Sequence, residues 1–196
     1  TASLKKETPA EEKLIGAQYN AQVSLSAQKD AAEGTIARLI GAKYAETFKV
    51  ELINSADGKD FFEVESQGNK IVLRGNTGVC AVRGLKWYLN EICNCSITWR
   101  GSNLALPETL PTNFKKHRET SPQKYRYIFN NCIYGYSFAW WQWDQWEHLL
   151  DILAYHGINM PAMLLGQEKV WQLTYNELGL SNESLNSFFA GPAWYP

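Results

Sequence analysis

Five polar residues in the second half of the chain are of types, and at spacings, that suit hydrogen bonds to sugar hydroxyls: Asn130, Cys132 and Tyr136, then Gln167 and Glu168 directly after Gly166. Asn130 and Cys132 are two apart, so a strand through Tyr125–Cys132 points both side chains the same way. Each also has an ordinary role open to it. Cys132 suits a small core position, Asn130 can satisfy loop backbone, and Glu168 can charge the first turn of a helix. Other chemistries find no footing. The sequence has no GxGxxG, no Walker loop, no GxSxG and no HExxH, and its three histidines (His117, His148, His156) are scattered. Glu147-His148 reads as a solvated helix face, and His156, just before Gly157, as a partner for a helix C-terminus. Cys80, Cys93, Cys95 and Cys132 lack paired CxxC spacing and nearby histidines, so neither zinc nor a disulfide-dense scaffold is expected.

The elements that must position these residues follow a strand, helix, strand, helix order. Tyr125–Cys132 is an extended run. Asp144–Tyr155 is a helix packing Trp146, Leu149, Leu150 and Leu153, stopped by Gly157, and Ile158–Leu165 is a short apolar strand. Gln167–Leu178 is a second crossover helix ended by Gly179, and Ser181 caps a short helix through Leu185 and Phe188. Such a βαβα order opens either a doubly wound sheet or a (β/α)8 barrel. The candidate residues fall at the C-terminal strand ends, where barrel enzymes keep their active sites. A barrel takes about 250 residues, far more than 116–196 supply, so the expectation is the N-terminal part of a longer protein. Trp140-Trp141-Gln142-Trp143 invites sugar stacking, but positions 143, 146 and 150 fit one buried helix face, which favours core packing.

The first half has a different pattern. Thr1 to Pro9 looks frayed and Glu11–Gln28 weakly helical. Asp30 with Glu33 resembles a capping box opening a helix that carries Ile36, Leu39 and Ile40. Phe48, Val50 and Leu52, then Phe62, Val64 and Ser66, alternate around the turn Ser55-Ala56-Asp57-Gly58 and predict an antiparallel pair. Gln67-Gly68-Asn69 leads to a third strand, Ile71–Leu73. Thr77 then caps a helix bearing Val79, Val82, Leu85, Leu89 and Ile92, and Ser96–Trp99 is a fourth strand. This makes a small α+β layer, two helices over one face of a sheet. Ser102–Pro122, with Pro107, Pro111 and Pro122 and no hydrophobic period, reads as a linker. The expected division is 1–115, an accessory domain with linker, and 116–196, the beginning of a barrel.

Nineteen Lys and Arg against twenty Asp and Glu leave a formal charge of −1 over 196 residues, which gives no footprint for nucleic acid. No apolar run approaches 18 residues, so no membrane span is expected. Eight Trp, ten Tyr and eight Phe make the chain rich in aromatics. The chain starts at Thr1, consistent with a processed N-terminus. Asn94-Cys95-Ser96 and Asn182-Glu183-Ser184 are glycosylation sequons.

Tyr125-Arg126-Tyr127, Asn130, Cys132, Tyr136-Ser137-Phe138 and Trp140-Trp141, followed by Gly157-Ile158-Asn159, Gly166-Gln167-Glu168, Trp171-Gln172 and Phe188 to Ala193, closely resemble the α-N-acetylglucosaminidases of glycoside hydrolase family 89. Gly75 to Val79, Gly84-Leu85, Trp87 to Leu89, Cys93-Asn94-Cys95, Trp99 and Gly101-Ser102 resemble that family's N-terminal α/β domain. The resemblance implies an extracytoplasmic (periplasmic, secreted or lysosomal) exo-enzyme that removes terminal α-linked N-acetylglucosamine. It also implies a (β/α)8 catalytic domain, no metal or other cofactor, and a retaining mechanism on two glutamates beyond residue 196. Asn130, Cys132 and Tyr136 match family positions lining the sugar pocket, with Gln167 and Glu168 beside them and no catalytic residue among the five. Two other readings compete: a stand-alone carbohydrate-binding module, and, for residues 1–115, a scaffold that handles no ligand.

Overall fold

The structure, a computed structural model, describes residues 23–162 and 167–189, without the Gln167 side chain. The first helix, α1 (Leu25–Ile40), starts ahead of the expected capping box. Ser24 is its N-cap, with the hydroxyl accepting from Ala27 N at 3.2 Å. Asp30 and Glu33 lie inside the helix, where Glu33 instead pairs with Lys29 one turn back. Ala32, Ile36, Leu39 and Ile40 form its buried stripe. The expectations for Thr1 to Pro9, and for Glu11–Gln28 up to residue 22, lie outside the described residues.

After the single turn α2 (Ala42–Ala45) come β1 (Phe48–Leu52), β2 (Phe61–Gln67), β3 (Lys70–Gly75), α3 (Gly78–Glu91), β4 (Ser96–Thr98), β5 (Gly101–Asn103) and β6 (His117–Thr120). The main sheet runs β1-β3-β2-β6, with β1 parallel to β3 and the other pairs antiparallel. The antiparallel pairing expected between β1 and β2 does not form. The two-residue turn at Gly68-Asn69, with Gly68 at φ 62°, pins β3 beside β2. The Ile71-Val72-Leu73 run of β3 is fully buried on both faces, the pattern of a central strand. The long 53–60 connection then lets β1 take the far edge.

Two further expectations change. Ser96–Trp99 does not join the main sheet; β4 pairs with β5 in a separate hairpin. The tract expected as a linker holds the sheet's fourth strand, since β6 pairs His117–Thr120 with Phe61–Val64 beyond the boundary placed at 115. The sequence His-Arg-Glu-Thr has no apolar period because β6 is an edge strand joined through backbone and charge.

Helices α1 and α3 cover one face of the sheet, packing Ile36, Val82, Leu85, Tyr88 and Leu89 against Phe62, Val64, Ile71 and Leu73. The opposite face carries an ion-pair lattice. Glu63, only 7% exposed, accepts from Arg118 at 2.6 Å and meets Lys116 at 2.7 Å, while Arg74 bridges Glu51 and Glu65. Burial pulls the Glu63 carboxyl up, but the bonds from Lys116 and Arg118 outweigh it and hold it below its ordinary value.

The second part runs β7 (Tyr127–Ile128), α4 (Ile133–Tyr136), α5 (Trp143–Tyr155), β8 (Met160–Pro161), α6 (Gln167–Glu177) and α7 (Asn182–Phe188). β7 and β8 pair in parallel, which makes the expected βαβ unit and the start of a barrel. Helix α5 is buried on two adjoining stripes. Ile152 and Tyr155 enter the core of the N-terminal sheet, and Leu149 and Leu153 enter a second, aromatic core. Leu150, expected inside, falls off both stripes and is exposed. Gly157 ends α5 at φ 75°, as expected.

Candidate functional site

The first barrel strand is shorter than its apolar run suggested, and this changes how the site is built. The extended backbone stops at Ile128, and Phe129 turns the chain with φ 81°, a conformation that costs a bulky residue energy. Two rings flank it there: Phe129 lies edge-on to Trp99 at 5.8 Å and to Phe138 at 5.2 Å, and Phe138 stacks on Trp99 at 5.7 Å. Asn130 and Cys132 therefore do not alternate along a strand. They sit in the turn after it, where Asn130 Oδ1 accepts from the backbone N–H groups of both Cys132 and Ile133 at 3.0 Å. The amide caps the short helix α4, the loop-backbone role weighed for it above. Its Nδ2 donor, the exposed Cys132 thiol and the 56% exposed Tyr136 phenol make no hydrogen bond to any described residue.

These three groups are thus brought onto one turn and one helical turn at the C-terminal end of the first barrel strand. Glu168 lies exposed in the first turn of α6, with no partner among the described residues. Gln167 opens α6, and its side chain lies outside the described residues, as do residues 163–166. The floor under the turn is aromatic. Phe138 meets Trp141 at 4.3 Å and Trp146 at 5.0 Å, and Tyr134 stacks on Trp146 at 6.2 Å. The tryptophan cluster is therefore divided: Trp141 and Trp146 pack in this core, whereas Trp140 and Trp143 are 76% and 67% exposed. Among the described residues no cluster of His, Cys, Asp and Glu could hold a metal ion, and no helix is long and apolar enough to cross a membrane.

Residue spacing gave no sign of what fixes the other end of these strands. Arg126, just before β7, pairs with Asp60 of the N-terminal part at 2.6 Å and donates from Nε to the Gly157 carbonyl. Asn159, just before β8, accepts from Arg126 N at 2.8 Å and donates to the Lys124 carbonyl at 2.9 Å. Asn76 donates to the second Asp60 oxygen at 2.9 Å. Burial would raise the Asp60 carboxyl, yet bonds from Asn76 and Arg126 hold it below its usual value. Both strand starts are thus anchored to the N-terminal sheet, which leaves the opposite ends to carry the turn at Asn130.

Comparison with known proteins places this arrangement. Residues 30–112 match the α-N-acetylglucosaminidase (NAGLU) N-terminal domain, and residues 126–196 match the α-N-acetylglucosaminidase (NAGLU) TIM-barrel domain. The chain belongs to the glycoside hydrolase family 89 α-N-acetylglucosaminidases. The human α-N-acetylglucosaminidase is 39% identical over 168 residues, which cover 84% of this chain and 23% of that protein. A family 89 glycoside hydrolase from Clostridium perfringens, solved with 2-acetamido-1,2-dideoxynojirimycin, superposes with a TM-score of 0.79 at 32% identity, over 91% of this chain and 20% of the bacterial one. The same Clostridium enzyme with two glutamate-to-glutamine substitutions, in complex with its substrate GlcNAc-α-1,4-galactose, gives 0.79 at 33% identity. The chain spans about a quarter or less of the length of these relatives. Its fold is that of the family's N-terminal α/β domain followed by the start of the TIM barrel, and the barrel is not closed by the described strands.

Proposed function

We propose that this chain is the N-terminal part of an exo-acting, retaining α-N-acetylglucosaminidase, and that its own contribution to catalysis is one wall of the sugar pocket. The observation that carries the reading is the turn after β7. It presents the Asn130 Nδ2 donor, the Cys132 thiol and the Tyr136 phenol, without a hydrogen-bond partner among the described residues, at the strand end where barrel enzymes bind substrate. Gln167 and Glu168, at the head of α6, adjoin the pocket. A retaining glycosidase needs two carboxyl groups about 5 to 5.5 Å apart, one attacking the anomeric carbon and one moving the proton. The reading assigns both to glutamates later in the polypeptide. The bacterial relative seen with its substrate carries two glutamate-to-glutamine substitutions, which fits a carboxylate pair doing the chemistry. The substrate class is a glycan ending in α-linked N-acetylglucosamine, the site of action is extracytoplasmic, and residues before the barrel serve as a scaffold for it.

The test uses a chromogenic N-acetyl-α-glucosaminide. The full-length protein hydrolyses it with retention of configuration, and the 196-residue chain alone does not. Turnover by the chain alone that is abolished by Glu168→Gln overturns the assignment of the catalytic pair. Saturable binding of N-acetylglucosamine by a full-length protein without turnover favours a carbohydrate-binding module.

A further inference from the structure

A cavity of about 220 Å³ lies at the opposite end of β7 and β8 from Asn130, lined in part by Phe62, Arg83, Glu119, Ser121, Arg126 and His156. Two carboxylates face it, and they differ. Asp60 is fully engaged by Arg126, Asn76 and Asn159. The Glu119 side chain is 52% exposed, 4.0 Å from Arg83 and 3.9 Å from His117, too long for a hydrogen bond to either.

The cations are less well matched. The Arg83 guanidinium lies 5.5 Å over the Phe62 ring and donates no hydrogen bond to any described residue. Its stem packs on Gly157, where a Cβ would come within 3.1 Å of Arg83 Cδ. One turn along α3, Lys86 donates to His156 Nδ1 at 3.0 Å, and His156 Nε2 donates to the Ile97 carbonyl at 3.3 Å. This pattern requires a neutral imidazole. Burial and the neighbouring Lys86 and Arg83 charges hold His156 below its ordinary value, and burial with Arg83 does the same to Lys86. Arg83 and Lys86 of α3, with the neutral His156 just past α5, therefore lie near one loosely held acid, Glu119 of β6. The other groups against His156 are its neighbour Tyr155, whose phenol burial pushes up, and the uncharged Ile97 carbonyl.

We propose that this cavity binds a small oxyanion, taken in the Arg83 fork beside His156 and its partner Lys86, with Glu119 turned out to solvent. A guanidinium with free donors matches such an anion bidentately. An anion beside His156 also favours its protonated form, so binding strengthens as pH falls.

Sulfate is the probe, because it does not titrate between pH 5.5 and 7.5. Thermal melting of the full-length protein against millimolar sodium sulfate, compared with sodium chloride at matched ionic strength, separates site binding from general salt effects. The expected result is a saturable rise in Tm with sulfate alone, with affinity about threefold or more higher at pH 5.5 than at pH 7.5, a one-unit rise in the His156 pKa setting a ceiling of about tenfold. Arg83→Gln abolishes the saturable component, and His156→Gln removes its pH dependence. Should Arg83→Gln fail to fold for want of its stem packing, Lys86→Met, which leaves that packing intact, must weaken sulfate binding at both pH values. Indistinguishable sulfate and chloride curves, or a saturable component that survives Arg83→Gln or is unchanged by Lys86→Met, overturn the proposal.

Discussion

Arg38 of α1 holds Asp151 of α5 in a two-point grip, Nε to Oδ2 at 2.6 Å and Nη2 to Oδ1 at 2.7 Å. Thr35 donates to the same carboxylate at 2.9 Å, and the Asp151 side chain is 5% exposed. This pair joins α1 of the N-terminal part to α5 of the barrel part, beside the shared core of Ile36, Ile152 and Tyr155. Removing Arg38 strands a buried carboxylate, which generally costs 3 to 5 kcal/mol, but the 43% exposure of Arg38 admits water and lowers the figure. Arg38→Ala is expected to destabilise by about 2 to 3 kcal/mol, read as a lower urea midpoint at constant slope. The paired replacement Arg38→Met with Asp151→Leu should recover most of that loss, because the desolvation penalty disappears with the charges. A loss under about 0.5 kcal/mol for Arg38→Ala would show the grip to be a surface contact.

Stability should fall in two separate steps on acidification. His156 is held below its ordinary value of 6.5, chiefly by burial. The unfolded chain takes up a proton near pH 6.5 while the folded chain resists, so the His156 contribution is complete above 6.5 and is lost as pH falls through the lowered folded value. Glu63 and Asp60 are held below 4.5 and 3.8, and their contribution is complete above those values and is lost further down. Urea midpoints measured in chloride from pH 8 to pH 3 should show both steps, and His156→Gln should flatten the upper one alone. An unchanged upper step in that variant assigns it to another group.

The fold was legible wherever burial sits on one face. The α3 stripe of Val82, Leu85 and Leu89, the Thr77 cap and the Gly157 stop all stand where their spacing put them. Pairing was not legible, because alternation in β1 and β2 says which face is buried and nothing of which neighbour is adjacent. That depended on β3 being apolar on both faces. Strand β6 is invisible to any hydrophobic pattern, since Arg118 serves Glu63 on the polar side of the sheet while His117 stacks on Trp87 on the other. For the candidate site, residue types pointed to the segment after β7, but the extended reading of Tyr125–Cys132 missed the left-handed Phe129 that turns the chain there. Nothing in a lone phenylalanine signals a positive φ; the ring contacts from residues 99 and 138 hold it.

Gly75 closes β3 directly beneath the start of α3. A Cβ there would sit 2.6 Å from Ala81 N and 2.8 Å from Cys80 Cβ, and the nearer of these is backbone that cannot rotate away. Overpacking of this kind typically costs 1 to 3 kcal/mol, and the backbone contact places Gly75→Ala toward the top of that range, about 3 kcal/mol. Gly101→Ala, in β5, meets nothing within 4 Å and serves as the control, with a change under about 0.5 kcal/mol. Thermal denaturation of the two variants distinguishes them, and equal melting temperatures would mean that α3 is free to move off the sheet.

Asn130 has two polar ends that one substitution can part. Its Oδ1 caps α4 through two backbone N–H groups, while its Nδ2 has no partner among the described residues. Asn130→Ala loses both and should cost about 1 kcal/mol of stability as well as glycan affinity. Asn130→Asp keeps the acceptor on the two N–H groups and loses only the outward donor, so the melting temperature should hold. If the free amide hydrogen bonds a sugar hydroxyl, the loss of that bond and the carboxylate left in its place raise KM of the full-length enzyme for an N-acetyl-α-glucosaminide by about tenfold or more. Wild-type KM in Asn130→Asp, with a lowered melting temperature in Asn130→Ala, would confine Asn130 to its capping role and leave Cys132 and Tyr136 as the pocket groups of this turn.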